Sequence, residues 1–148
     1  MLQRLSALVR RDPRTARRKL GDRGEQVAAD YLRACGFRIV ATNVEVPLGQ
    51  SRSGRAVSGE IDLIAYDGAT LAFVEVKTRR REGALATERA VDARKRRLLI
   101  RAAARYRRLM GVAGEPYRFD VAAVLLADGE RPVVRLRRAY FTDRQALG

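Results

Sequence analysis

The chain has 148 residues, of which 47% are hydrophobic, so its length suits one globular domain with a core and leaves no room for two. Basic residues number 31 against 17 acidic ones, and a net charge of +14 points to a polyanionic partner, most often nucleic acid. The sequence contains no histidine and one cysteine, Cys35, which excludes histidine triads, the common zinc sites and a disulfide framework. An arginine-rich genome that decorates a solvated surface is the alternative explanation of the charge.

Three parts of the chain are distinguished by composition. Residues 1–20 are basic, and we interpret them as a flexible arm, with an organellar presequence as the alternative. Residues 21–142 are expected to form a single domain, and residues 143–148 a tail. No apolar stretch approaches the roughly 20 residues of a membrane helix, so we predict a cytoplasmic protein without a membrane partner.

The first predicted helix covers residues 22–35, where apolar residues recur at helical spacing and Gly36 supplies the stop. Glu25 lies in its first turn, where stabilisation by the helix dipole is the ordinary explanation of an acidic residue. A strand is predicted over residues 37–46. It is followed by a polar loop over residues 47–58, expected to be mobile and to lie within a hairpin.

Two apolar runs at 60–66 and 71–78, joined by an Asp-Gly turn at Asp67, predict a pair of buried strands. Strict alternation places Glu60, Asp62 and Ile64 on one face of the first strand. It likewise places Glu75 and Lys77 together on the second strand. A carboxylate in such a strand costs several kcal/mol unless it is paired or binds a metal.

A long helix is predicted from Thr87 or Asp92 to Met110, and strands at 118–126 and 132–141 follow. The long helix carries a basic stripe at spacings of three and four residues. The stripe consists of Arg94, Arg97, Arg101, Arg105 and Arg108. It suits a phosphate backbone, although an ordinary solvated helix face gives the same pattern.

The element order predicts an α/β fold of the mixed α+β kind: helix, three strands, helix, two strands. The first three strands can form an antiparallel meander, and the long helix can carry the chain across to a parallel neighbour. Helices are expected on both faces of the sheet, because both faces of the central strands are largely apolar.

Asp62 and Glu75 come from adjacent strands and can converge at one end of the sheet. Hard oxygen ligands of this kind suit Mg²⁺ or Mn²⁺, with the backbone carbonyl of Val76 as a third ligand. Lys77 can then orient an attacking water or stabilise the transition state of phosphodiester hydrolysis. A buried ion pair between Lys77 and a carboxylate is the alternative.

Five blocks of the sequence occur in an order that resembles a known family. They are GDRGEQVA at 21–28, GEIDLIA at 59–65, FVEVKTR at 73–79, AVDARK at 90–95 and RFDV at 118–121. Asp62 followed by Glu75-Val76-Lys77 resembles the core motif of the PD-(D/E)XK nucleases. The five blocks together resemble the YraN-like family, a bacterial group related to archaeal Holliday-junction resolvases.

The resemblance implies a restriction-endonuclease-like core in a single nuclease-like domain, with a divalent-metal site. Asp62 and Glu75 would be the metal carboxylates, Lys77 the catalytic lysine and Glu25 the helix glutamate that completes the site. Glu60 belongs to the same blocks and is a candidate either for the metal shell or for a pair with an arginine. Two departures are Ile61, which stands where the motif has proline, and the apparently long 47–58 segment.

The resemblance favours a Mg²⁺- or Mn²⁺-dependent endonuclease that acts on DNA, and branched DNA in particular. A homodimer is expected if assembly follows the resolvases. Arg79, at the end of the third block, joins the arginine stripe as a candidate nucleic-acid contact. The alternatives are a nucleic-acid-binding module of the same fold without turnover, and a basic accessory protein that binds RNA or a ribonucleoprotein.

Overall fold

The computed structural model describes residues 9–10, 16–80 and 93–146. Two helices, α1 and α2, and six strands, β1 to β6, make up these parts of the chain. They are β1 (Val9–Arg10), α1 (Ala16–Ala34), β2 (Arg38–Gln50), β3 (Ala56–Asp67), β4 (Thr70–Arg79), α2 (Ala93–Leu109), β5 (Tyr117–Leu125) and β6 (Val133–Phe141), with a final 3-10 turn at Asp143–Ala146. None of the described helices is long and apolar enough to cross a membrane.

The strands form one mixed sheet in the order β1-β2-β3-β4-β5-β6. Every neighbouring pair is antiparallel except β4 and β5, which are parallel. A parallel neighbour needs a crossover connection, and α2 lies in the connection between β4 and β5. The predicted mixed sheet and its order of helix, three strands, helix and two strands are therefore confirmed.

Each face of the sheet packs against one helix. On one face, Leu99, Ala102 and Tyr106 of α2 form a buried cluster with strand residues such as Phe73 and Phe119. On the other face, Ala28, Ala29 and Leu32 of α1 form a second cluster with β3, β4 and β5. Burying a side chain the size of leucine contributes about 1.5–3 kcal/mol, so these faces hold the helices in place.

Two glycines let the helices approach the central strands closely. A Cβ atom on Gly24 of α1 would lie 1.8 Å from Thr78 Oγ1 on β4. A Cβ atom on Gly59 of β3 would lie 2.7 Å from both Ala102 Cβ and the carbonyl oxygen of Leu98 on α2. Each helix is therefore seated against β3 or β4 at a point where a larger side chain would collide.

Both helices end in the same backbone motif, as the predicted glycine stops require. Gly36 has a φ of 90° and Gly111 a φ of 70°. The amide of Phe37 donates to the carbonyl of Leu32 at 2.9 Å, and that of Val112 donates to Arg107 at 2.9 Å. These are the bonds of a Schellman cap, which a left-handed glycine makes possible.

The start of α1 differs from its sequence-based prediction. It begins at Ala16 rather than near Asp22, because the intervening residues are mostly good helix formers and a single glycine does not stop them. Within the segment interpreted as an arm, the short strand β1 pairs with β2. The rest of that arm and the predicted helix start near Thr87 lie outside the described residues.

The prediction of a long loop over residues 47–58 is wrong, although the hairpin in which that loop was placed is confirmed. Strands β2 and β3 continue through this segment, with Pro47 opposite Ser58 and Gln50 opposite Ala56. Only residues 51–55 form the tip, which is closed by a bond from the amide of Ser51 to the carbonyl of Arg55. The polar composition reflects an exposed two-stranded extension, where polar side chains do not prevent pairing.

Candidate functional site

The site lies where the two central strands separate. The ladder between β3 and β4 runs from Asp67–Thr70 to the pair Leu63 and Val74 and stops there. The next side chain, Asp62, instead accepts a hydrogen bond from the amide of Val76 through Oδ2 at 2.8 Å. A side chain thus replaces a backbone partner, and the strands open around Asp62.

This opening also corrects the predicted faces of β3. Ile61 and Ile64 both pack in the cluster beneath α2, whereas Leu63 and Ala65 pack beneath α1. Strict alternation would have put Ile61 with Leu63 and Ala65. Alternation fails at Asp62, where the ladder between β3 and β4 ends. The residues of β3 before this point therefore face the opposite side of the sheet from the one that alternation predicts.

Glu75 is 2% exposed and faces two ammonium groups. Lys77 Nζ lies 3.2 Å from its Oε1, and Lys95 Nζ lies 2.5 Å from the same oxygen. Burial lowers the pKa of Lys77, and the charge of Lys95 lowers it further against the opposing pull of Glu75. For Lys95, burial is the strongest single influence and lowers the pKa, but the charge of Glu75, the hydrogen bond to Glu75 and the charge of Asp62 together outweigh burial, and the pKa is raised.

Asp62 is 8% exposed, and its pKa is strongly displaced from the ordinary value. Burial raises its pKa well above the ordinary value, and the charges of Glu75 and Glu25 raise it further. The amide of Val76 and the charge of Lys95 oppose that rise only in part. Three carboxylates from β3, β4 and α1 therefore act on one another within a buried region, which favours a cation there.

Glu25 reaches this group because of how α1 is seated. It is 8% exposed, and its neighbour Gly24 is the point of closest approach between α1 and Thr78 of β4. The dipole explanation for an acidic residue in the first turn does not apply, because α1 begins well before Glu25. Sequence reasoning placed Glu25 with Asp62 and Glu75 only through the resemblance.

The donors fit a hard divalent cation. Asp62 and Glu75 supply two carboxylates, and their mutual repulsion is what a positive ion would relieve. Among the described residues, no three acidic or cysteine side chains are grouped tightly enough to hold an ion by themselves. A third protein ligand would have to be a backbone oxygen, and the Val76 carbonyl stays the predicted one. Water molecules would complete the coordination of the ion. Glu60 is exposed, and its place in the shell stays a prediction.

A second buried aspartate on β5 shows what a purely structural carboxylate looks like in this fold. Asp120 is fully buried, and both of its oxygens accept bonds from Arg118 Nε, at 2.9 and 3.0 Å. Its Oδ1 also accepts from the amide of Ala139, which has a φ of 50° beside a register shift between β5 and β6. A guanidinium and an amide compensate Asp120, whereas Asp62 faces two other carboxylates.

The predicted nucleic-acid contacts fall into two groups. The arginine stripe of α2 is exposed along its whole length: Arg94, Arg97, Arg101, Arg105 and Arg108. Arg79 is half-buried at the end of β4, and its Nη1 donates to the carbonyl of Thr78 at 2.9 Å. The stripe lies on the same helix as Lys95, so α2 connects the buried carboxylates to an exposed basic surface.

Comparison with known sequences places the chain in a family. A family model described as "Uncharacterised protein family UPF0102" matches residues 24–124, which include every residue of the site. The chain belongs to the UPF0102 family. This is the YraN-like group that the five sequence blocks resemble, so that recognition is confirmed.

Members of UPF0102 resemble this chain over most of their own length. A UPF0102 protein of Symbiobacterium thermophilum is 48% identical over 107 residues, which are 72% of this chain and 82% of that protein. A relative in Alkaliphilus metalliredigens is 38% identical over 83% of this chain and 98% of its own. One solved structure, "Crystal structure of SSO0001", overlaps 86% of this chain and about half of its own (54%), with 14% identity and a TM-score of 0.35, which is too low to support an argument.

Lys95 is the site residue that sequence reasoning missed. It lies in the fourth UPF0102-like block but was not assigned a role, because it falls on a helix with seven arginines. A signal was present: only Lys19, Lys77 and Lys95 are lysines, and the other 28 basic residues are arginines. Two of three lysines in so arginine-rich a chain contact the same carboxylate.

Proposed function

We propose that this protein is an endonuclease that hydrolyses phosphodiester bonds of DNA with Mg²⁺ or Mn²⁺. The observation that carries the proposal is the convergence of Asp62, Glu75 and Glu25 in a buried region, where Asp62 is left with a raised pKa. Carboxylates that repel one another in a buried region are unfavourable in a structural role and favourable as ligands of a cation.

Asp62 and Glu75 would hold the cation, with the carbonyl of Val76. A bound divalent ion supplies positive charge at the scissile phosphate and makes a neighbouring water more acidic. Lys77, fixed 3.2 Å from Glu75, would place its ammonium group against charge that develops on the phosphate. Glu25 would accept a hydrogen bond from the attacking water and so orient it.

The basic surface supports nucleic acid as the substrate. The net charge is +14, and the exposed arginines of α2 follow one helix face that leads away from the site. Their span of 14 residues corresponds to about 21 Å of helix, enough to follow several phosphates of a backbone. The resemblance to resolvases makes branched DNA the first substrate to test.

The test is a cleavage assay on supercoiled plasmid, four-way junctions and single-stranded DNA with Mg²⁺ or Mn²⁺. Wild-type protein should cleave at least one of them, and Asp62→Asn, Glu75→Gln and Lys77→Met should each reduce the rate by about 100-fold or more. Lys19→Met removes the same charge from an exposed position on α1 and serves as the control. Cleavage that persists in Glu75→Gln would refute the proposal.

A nucleic-acid-binding module without turnover is the second candidate. The ion pairs that Glu75 makes with Lys77 and Lys95 favour it, because they already compensate one of the carboxylates. Such a module would bind DNA through the arginines of α2 equally well with or without Mn²⁺, and no substrate would be cleaved.

A further inference from the structure

Lys95 contacts the same oxygen of Glu75 that Lys77 contacts. The two Nζ atoms lie 2.5 and 3.2 Å from Oε1, while the Glu75 side chain is 2% exposed. Two cations on one buried oxygen exceed what a single ion pair requires. Either of them alone would neutralise Glu75.

The two lysines differ in how firmly they are held. Lys77 lies on β4 in the sheet, and its side chain is 15% exposed. Lys95 lies in the first turn of α2, and its side chain is 52% exposed. A lysine stem has four flexible carbons, so a side chain that is half exposed can turn its ammonium group out to water. Lys95 can leave Glu75, whereas Lys77 stays.

The charge of Lys95 acts on both carboxylates that the proposed function assigns to a cation. It pairs directly with Glu75, and its charge also attracts the carboxylate of Asp62. Its ammonium group thus lies at the point where positive charge relieves the repulsion between them. This is the effect that a divalent ion would have in the same place.

We propose that Lys95 is a built-in cation of this centre, and that a divalent metal ion binds by displacing its ammonium group from Glu75. This inference rests on the proposed function, because it takes Glu75 as a metal ligand. The exchange keeps a positive charge beside the buried carboxylates at every stage, first from the lysine and then from the ion. Lys95 is therefore a positioning residue that competes with the metal.

Competition gives a direct test by calorimetric titration with Mn²⁺. Lys95→Met keeps the apolar stem and removes the charge, so Mn²⁺ should bind roughly five- to tenfold more tightly than to wild type. Lys19→Met is the matched control, with the same substitution at an exposed position on α1, and should bind as wild type does. Lys95→Gln is a second variant that also removes the positive charge of Lys95.

The outcomes separate this inference from the proposed function. Equal or weaker Mn²⁺ affinity in both Lys95 variants than in wild type would overturn the exchange while leaving the metal site intact. If neither wild type nor any variant binds Mn²⁺ saturably, the proposed function and the exchange are both overturned. If Lys19→Met binds Mn²⁺ as much more tightly as Lys95→Met does, the gain comes from the lower net charge of the protein, and the exchange is overturned.

The small number of lysines permits a second measurement on the wild-type protein. Selective ¹³C labelling of lysine gives three Cε signals, from Lys19, Lys77 and Lys95. Saturating Mg²⁺ should move the Lys95 signal toward that of the exposed Lys19, since its ammonium group becomes solvated. A Lys95 signal that stays in place while Mg²⁺ binds would contradict displacement.

Discussion

Asp62 and Asp120 are two buried aspartates for which the same substitution should have opposite effects on stability. In Asp62→Asn the amide oxygen can still accept the hydrogen bond from Val76, while the charge that Glu75 and Glu25 repel is removed. In Asp120→Asn the buried ion pair with Arg118 is lost, which leaves Asp67 as the charged partner of Arg118, and an amide group is turned toward the Arg118 Nε. We therefore expect a more stable protein in the first case and a less stable one in the second.

The magnitudes follow from the partners of each aspartate. Two carboxylates in contact repel by at most about 4 kcal/mol at an effective dielectric constant near 20. Val76 and Lys95 offset part of this at Asp62, which leaves an expected gain of about 1–2 kcal/mol. Breaking a buried pair costs about 3–5 kcal/mol. For a domain of this size, these values correspond to a Tm about 2–8 °C higher for Asp62→Asn and about 6–20 °C lower for Asp120→Asn.

The assay is thermal unfolding followed by circular dichroism in the presence of a chelator, repeated from pH 4 to pH 8. Because the folded-state pKa of Asp62 is raised, its favourable contribution is present at low pH and is lost as the pH rises through that pKa. The advantage of Asp62→Asn over wild type should therefore widen with pH. Adding Mn²⁺ should stabilise wild type and leave Asp62→Asn unchanged. A lower Tm for Asp62→Asn in chelator would refute the electrostatic reasoning.

Three further predictions concern the supports of the site and its surface. Gly24→Ala should lower the Tm and weaken Mn²⁺ binding in calorimetry, because its Cβ would lie 1.8 Å from Thr78 Oγ1 and displace α1. A hydrogen bond to Glu115, together with burial, raises the pKa of Tyr66 to about 12, so stability present below pH 10 should fall more steeply between pH 10 and 12 in wild type than in Tyr66→Phe, as followed by urea unfolding. Arg105→Ala should reduce the slope of log K against log salt for DNA binding by about 0.9, measured by fluorescence anisotropy, and an unchanged slope would remove this arginine from the interface.

Local patterns were sufficient for most of the fold. The glycine stops at Gly36 and Gly111, the turn at Asp67 and the helix between β4 and β5 are all set by residues close together in the chain. The failures share a cause. The polar 47–58 segment is strand on both sides of its tip because its two halves pair with each other, and β3 breaks alternation because it leaves β4. In both cases the pairing with a neighbouring strand determines the conformation, and this pairing cannot be deduced from the local composition.

The sequence by itself determined that acidic side chains and a lysine lie in apolar strands, in an arginine-rich chain without histidine. It could not show which of Asp62 and Asp120 has a neutralising partner, since each is an aspartate within an apolar strand. Only the tertiary structure decided that Arg118 compensates one and that two carboxylates crowd the other, and that Lys95 reaches Glu75 from α2. Charge interactions depend on distance in space, and the packing of helices across the sheet sets those distances between residues far apart in the chain.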